Sequence, residues 1–113
     1  MEKGIKTILV KDIIGSKVAD DDQKGNIIFN TIDEEKNKYD TIVLDFMNIE
    51  LVNTAFFNNA IGALFDGRRF DLSKCKIIVR NLDETKEEVM KESILAARQK
   101  YNLYYNQESR HDY

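Results

Sequence analysis

The stretch Thr41-Ile42-Val43-Leu44-Asp45-Phe46 constrains this chain more than any other. It is a β-branched, apolar run of strand length that does not alternate with polar residues, and a strand covered on both faces is the structure that keeps such side chains from water. It is therefore expected to be the central strand of a sheet. Strands of that kind run parallel to their neighbours, and parallel neighbours need crossover connections, so helical segments should flank the run in sequence.

They do. Upstream, Asp20-Asp21-Asp22 precede Ile27, Ile28 and Ile32, a spacing that lines one helical face and predicts a first helix ending near Lys38. The acidic triplet has a structural role at that position, since carboxylates accept from free N–H groups and favour the positive end of a helix dipole. Consecutive helical side chains point in different directions and no further ligands accompany them, so no metal site is expected. Before this helix, Ile5 to Ile14 carries an opening strand centred on Thr7 to Val10. A break follows at Gly15-Ser16, where a second short strand or hairpin is expected.

Downstream of the central run, Asn53-Thr54 precede Phe56, Phe57, Ala60, Ile61, Leu64 and Phe65, a broad apolar face that predicts a second helix ended by Asp66-Gly67. A connection from Arg68 to Lys74 leads to a strand at Cys75 to Val79. A third helix is expected over Glu84 to Tyr101, with Met90, Ile94, Ala97 and Tyr101 on one face. This order defines an α/β fold: a small single domain over residues 1–101, with a mostly parallel or mixed sheet of about four strands covered by about three helices. Residues 102–113, aperiodic and containing His111, read as a loosely held tail.

Composition narrows the function. No stretch is long and apolar enough to span a bilayer, and the first residues lack the basic start and apolar core of a secretory signal, so a cytoplasmic address is expected. The formal net charge is -3 with the charges interleaved, and Arg68-Arg69 is the tight basic pair outside the helices, so nucleic acid is not an expected partner. Cys75, the single cysteine, sits among apolar strand residues and reads as a small buried hydrophobe. There is no Gly-rich phosphate loop, no Cys/His cluster and no Ser–His–acid set, so neither catalysis nor a cofactor is expected.

The segment from Asp40 to Leu64 carries a resemblance. An apolar strand ending in Asp45-Phe46, a short passage from Met47 to Val52, a hydroxyl residue and an apolar helix resemble the signature of the STAS fold. In anti-sigma-factor antagonists of that fold the second helix opens on an acid-Ser-Ser-Gly-Leu turn. Here the matching positions read Asn53-Thr54-Ala55-Phe56-Phe57, with Thr54 in the place of the phosphorylated serine and Asn53 in that of the acid. The likeness is closer to bacterial STAS-like domains of unassigned function, whose pattern has an LDF-type strand, here Leu44-Asp45-Phe46, and a Phe at the helix start, here Phe56. Phe57 stands where that pattern has a small residue, and Asn58-Asn59 where it has acids.

What the resemblance implies is a regulatory interaction module that docks on an ATP-binding, serine-kinase-like regulator and is released by phosphorylation at the start of the second helix. Thr54 would be the acceptor, although Asn53 or Thr54 in this position equally reads as a plain helix cap. Phe56, Phe57, Asn58 and Asn59 are the candidate partner surface, with one of the two adjacent aromatics expected to face partly outward. Two other functions remain open: an anion- or ligand-binding domain using the second helix start with Arg68 or Arg69, and a scaffold that forms homo-oligomers through an edge strand near Ile5 to Ile14 or through the aromatic tail.

Overall fold

In a computed structural model, residues 3–65 and 74–109 are described, with residues 65 and 100–109 by their backbone alone. Strand β1 (Ile5–Leu9) turns directly into a short helix α1 (Val10–Ile14), followed by β2 (Val18–Ala19), α2 (Asp22–Glu35), β3 (Thr41–Asp45) and β4 (Leu51–Val52). Helix α3 (Thr54–Ala60) runs into a 3-10 turn (Gly62–Phe65), and β5 (Lys76–Arg80) leads to the long helix α4 (Glu84–Ser109).

The run Thr41 to Phe46 is indeed the centre of the sheet. The strand order is β1-β3-β5, with β3 parallel to both neighbours, Leu9 opposite Asp45 and Asp45 opposite Arg80. Ile42, Val43 and Leu44 are all buried, as the unbroken apolar run requires. A second pair, β2 with β4, is also parallel and only two residues long, Val18 opposite Leu51 and Ala19 opposite Val52. The fold is α/β, with its parallel strands divided between a three-stranded and a two-stranded sheet.

Several elements differ from the expectation. The segment after β1 is a helical turn rather than a strand or hairpin. Val10 is fully buried and Ile14, one turn on, packs on the same core, while Gly15 takes the left-handed conformation (φ 67) that closes the helix. The short strand comes afterwards, at β2. The helix begun at Thr54 gives way at Ile61 (φ -119) to the tighter turn Gly62–Phe65. Helix α4 continues through Ser109, past Tyr101 and into the stretch read as aperiodic, because neither Gly nor Pro occurs between Glu84 and Ser109 to stop it. The expected cap at Asp66-Gly67, the pair Arg68 and Arg69, and His111 lie outside the described residues.

One core unites the sheet with α2 and α3. Ile8, Ile42 and Leu44 meet Ile28, Phe29 and Ile32 of α2 and Phe56, Phe57 and Ala60 of α3. Helix α2 starts where its acidic triplet predicts, with the Asp21 side chain accepting from the Lys24 N–H at 2.7 Å. It approaches α3 at Gly25 so closely that a Cβ there would strike the carbonyl oxygen of Phe56 and come within 2.9 Å of Asn59 Cβ. Glycine is required at this crossing because backbone meets backbone.

Candidate functional site

Strand β4 delivers the chain to the start of α3, beside the start of α2. Because Ala19 pairs with Val52, the next residues, Asp20 and Asn53, are brought together. Asn53 uses both ends of its amide: Oδ1 accepts from the Phe56 N–H at 3.0 Å, and Nδ2 donates to the Asp20 carbonyl at 2.7 Å. Six residues on, Asn59 Nδ2 donates to the Asp22 carbonyl at 3.2 Å. Two asparagines, the cap of α3 and a residue within it, therefore clasp the chain on either side of Asp21, the cap of α2.

This arrangement separates two roles that the sequence left together. Asn53 is the helix cap. Thr54 is the first residue inside the helix; its side chain is exposed, and among the described residues its hydroxyl makes no hydrogen bond. Around it, Asp20, Asp22, Ala55 and Asn58 are exposed. Lys24 tempers the acids, its ammonium lying 3.0 Å from Asp20 Oδ1 and 3.0 Å from the Val18 carbonyl.

Neither Phe56 nor Phe57 reaches the surface. Both are completely buried, and with Phe46 they form an aromatic cluster with ring centroids 5.4 to 6.3 Å apart. The expectation that one would face outward fails because α3 is enclosed by α2 on one side and α4 on another, so adjacent positions on the helix both meet protein. Asn58 is exposed, whereas Asn59 is spent on the link to Asp22.

A further cluster lies at the ends of the central strands. Asp45 Oδ1 accepts from the Met47 N–H at 2.9 Å and from Asn81 Nδ2 at 2.7 Å, while the Phe46 N–H donates to the Arg80 carbonyl. Asn48 and Asn81 both sit in the left-handed region, at φ 65 and 64, where asparagine is among the better tolerated residues. Asp45 thus ties the end of β3 to the end of β5. A carboxylate closing an apolar strand was visible in the sequence, but its partner, thirty-six positions on, was not.

Cys75 is buried, and burial, with the Asp40 carboxylate adding to it, pushes its thiol up. It stays protonated at neutral pH, which does not suit it to nucleophilic work.

A family model for a STAS-like domain of unknown function (DUF4325) matches residues 24–87, more than half of the 113-residue chain. The chain belongs to this STAS-like family. The match begins in α2 and spans β3, β4, α3 and β5 to the first turn of α4, so it contains both the Asn53–Thr54 corner and the Asp45–Asn81 link of this STAS-like domain. No curated protein and no solved structure matches the chain. Among its described residues no helix is long and apolar enough to cross a membrane.

Proposed function

We propose that this STAS-like domain is a non-enzymatic regulatory module of the cytoplasm that docks on a protein partner through the exposed corner at the start of α3, with the Thr54 hydroxyl as its switch. One observation carries the reading. The cap of α3 is supplied by Asn53 alone, so the exposed Thr54 hydroxyl is free of any structural duty. A phosphate there would add roughly -1.5 to -2 charge units. The backbone N–H groups of the first turn accept such charge without loss of the fold, while a partner surface fitted to a neutral hydroxyl does not. The neighbouring Asp20 and Asp22 sharpen that response, since the added charge falls on a corner that is already acidic.

The partner proposed is an ATP-binding, serine-kinase-like regulator. The test is native co-purification of the tagged chain and its Thr54→Val and Thr54→Glu variants, with intact-mass measurement of each recovered chain. The expected result is an ATP-binding partner retained by wild type and Thr54→Val, lost by Thr54→Glu, with a phosphorylated fraction of the wild-type chain outside the complex. A wild-type chain recovered alone and unmodified overturns the proposal.

Self-association is a second reading, favoured by the edge of the sheet. Among the described residues β1 pairs with β3 alone, and Ile5 on it is 68% exposed. Sedimentation velocity across a range of concentrations decides it: a strict monomer removes the idea.

A further inference from the structure

Helix α4 is seated differently from the rest of the molecule. Between Glu84 and Gln99 its apolar side chains Val89, Met90 and Ile94 are only partly buried, and Leu95 is 57% exposed. In α2 and α3, by contrast, Ile28, Ile32, Phe56, Phe57 and Ala60 are completely buried. The fully covered side chain in this part of α4 is Ser93, and among the described residues its hydroxyl has no hydrogen-bond partner. A buried hydroxyl of that kind has given up its bonds to water without replacing them. The crossing of α4 over α3 and the turn Gly62–Phe65 thus contains a penalty at its centre, where α2 and α3 are joined by the Asn59–Asp22 hydrogen bond and their leading residues by that between Asn53 and Asp20.

The residue leading into α4 has the character of a pivot. Asn81 adopts φ 64, and its side chain is pinned at 2.7 Å to Asp45 at the end of the central strand. The sheet is therefore secured up to Asn81, and motion beyond it need not disturb β3 or β5.

We propose that α4 is a strap that opens as one unit about residues 81–83 while the sheet, α2 and α3 remain folded, uncovering the turn Gly62–Phe65 and the adjoining flank of α3. The physical basis is the uneven distribution of buried apolar surface: proteins open locally where such surface is least, at a cost below that of global unfolding. Opening parts Gly62 from α4, where a Cβ on Gly62 would rest 3.5 Å from the Ser93 carbonyl and 3.7 Å from Ala97 Cβ.

The test is native-state hydrogen exchange of the full chain, followed by mass spectrometry in urea well below the unfolding midpoint. Amides of α4 beyond its first turn are expected to exchange together, roughly tenfold or more faster than those of β3 and α2. Ser93→Ala removes the stranded hydroxyl and is expected to slow exchange in α4 by roughly tenfold. Ile32→Val, a mild trim within the α2 core, is expected to speed exchange in β3 and α2 and leave α4 unchanged, because Ile32 stays packed when the strap opens. Exchange of α4 in step with β3, or an Ile32→Val effect of equal size in both, overturns the proposal.

Discussion

Gly25→Ala would ordinarily be read as a stabilising change in a helix, because alanine gains about 1 kcal/mol over glycine in a helix interior. Here the opposite is expected. The new Cβ would meet the Phe56 carbonyl oxygen, Asn59 Cβ at 2.9 Å and the Ala60 nitrogen at 3.1 Å. Two of those three are backbone atoms of α3, which cannot swing aside as a side-chain end does. To make room, α3 must move away from α2 as a body. That movement strains the Asn53–Asp20 and Asn59–Asp22 links, each contributing about 1 kcal/mol, and loosens the contact between Ile28, Phe56 and Ala60. Overpacking of a well-filled interface costs about 1–3 kcal/mol. With both links lost and the propensity gain subtracted, a net loss of about 2–4 kcal/mol remains. Equilibrium urea unfolding monitored by far-UV circular dichroism measures it, with Asn26→Ala on the exposed face of the same helix as the control for propensity. Stability equal to or above wild type in Gly25→Ala would refute the argument that backbone contact sets the identity of residue 25.

The remaining predictions concern the corner, the thiol and the strap. Asn53→Ala removes the cap of α3 and its link to Asp20 and is expected to cost about 1–2 kcal/mol, whereas Thr54→Val should stay within about 0.5 kcal/mol of wild type in the same urea assay. Cys75 has a raised folded-state pKa, so its contribution to stability is complete below the unfolded thiol value and is lost as pH rises through the folded one. Unfolding midpoints should fall in that alkaline range in wild type more steeply than in Cys75→Ala, and alkylation of the native thiol at neutral pH should proceed only through unfolding. Asp83 is held below the usual carboxylate range, first by the hydrogen bond from the Lys86 side chain and then by the Lys86 N–H. Its contribution is present above the unfolded carboxylate value and lost as pH falls through the folded one. Asp83→Ala should therefore lower α4 helicity at neutral pH and make no difference in strong acid, as read by circular dichroism.

Much of this fold follows from local pattern. The run Thr41 to Phe46, apolar from Ile42 to Leu44, reads as a buried central strand because it is short and opens on three β-branched residues. The acidic triplet before Ile27, Ile28 and Ile32 specifies the start of α2, since a carboxylate cap acts within three residues of itself. The likeness to STAS-like domains rests on residues of the same kind, close together in the chain. A short strand was expected at the Gly15-Ser16 break, but its position at β2, and β4 altogether, were not legible, because two residues have no period and these strands exist through their pairing with each other.

The tertiary structure decided which faces are covered. Phe56 and Phe57 are adjacent, and helical geometry alone turns them in different directions; α2 and α4 together bury both. Asn53 rather than Thr54 is the cap because β2 and β4 bring Asp20 beside it. Asp45 closes on Asn81, and Gly25 admits the backbone of α3, through contacts between residues more than thirty positions apart. Period and capping are short-range properties that a sequence carries on its own, whereas burial depends on what the rest of the chain lays against a surface.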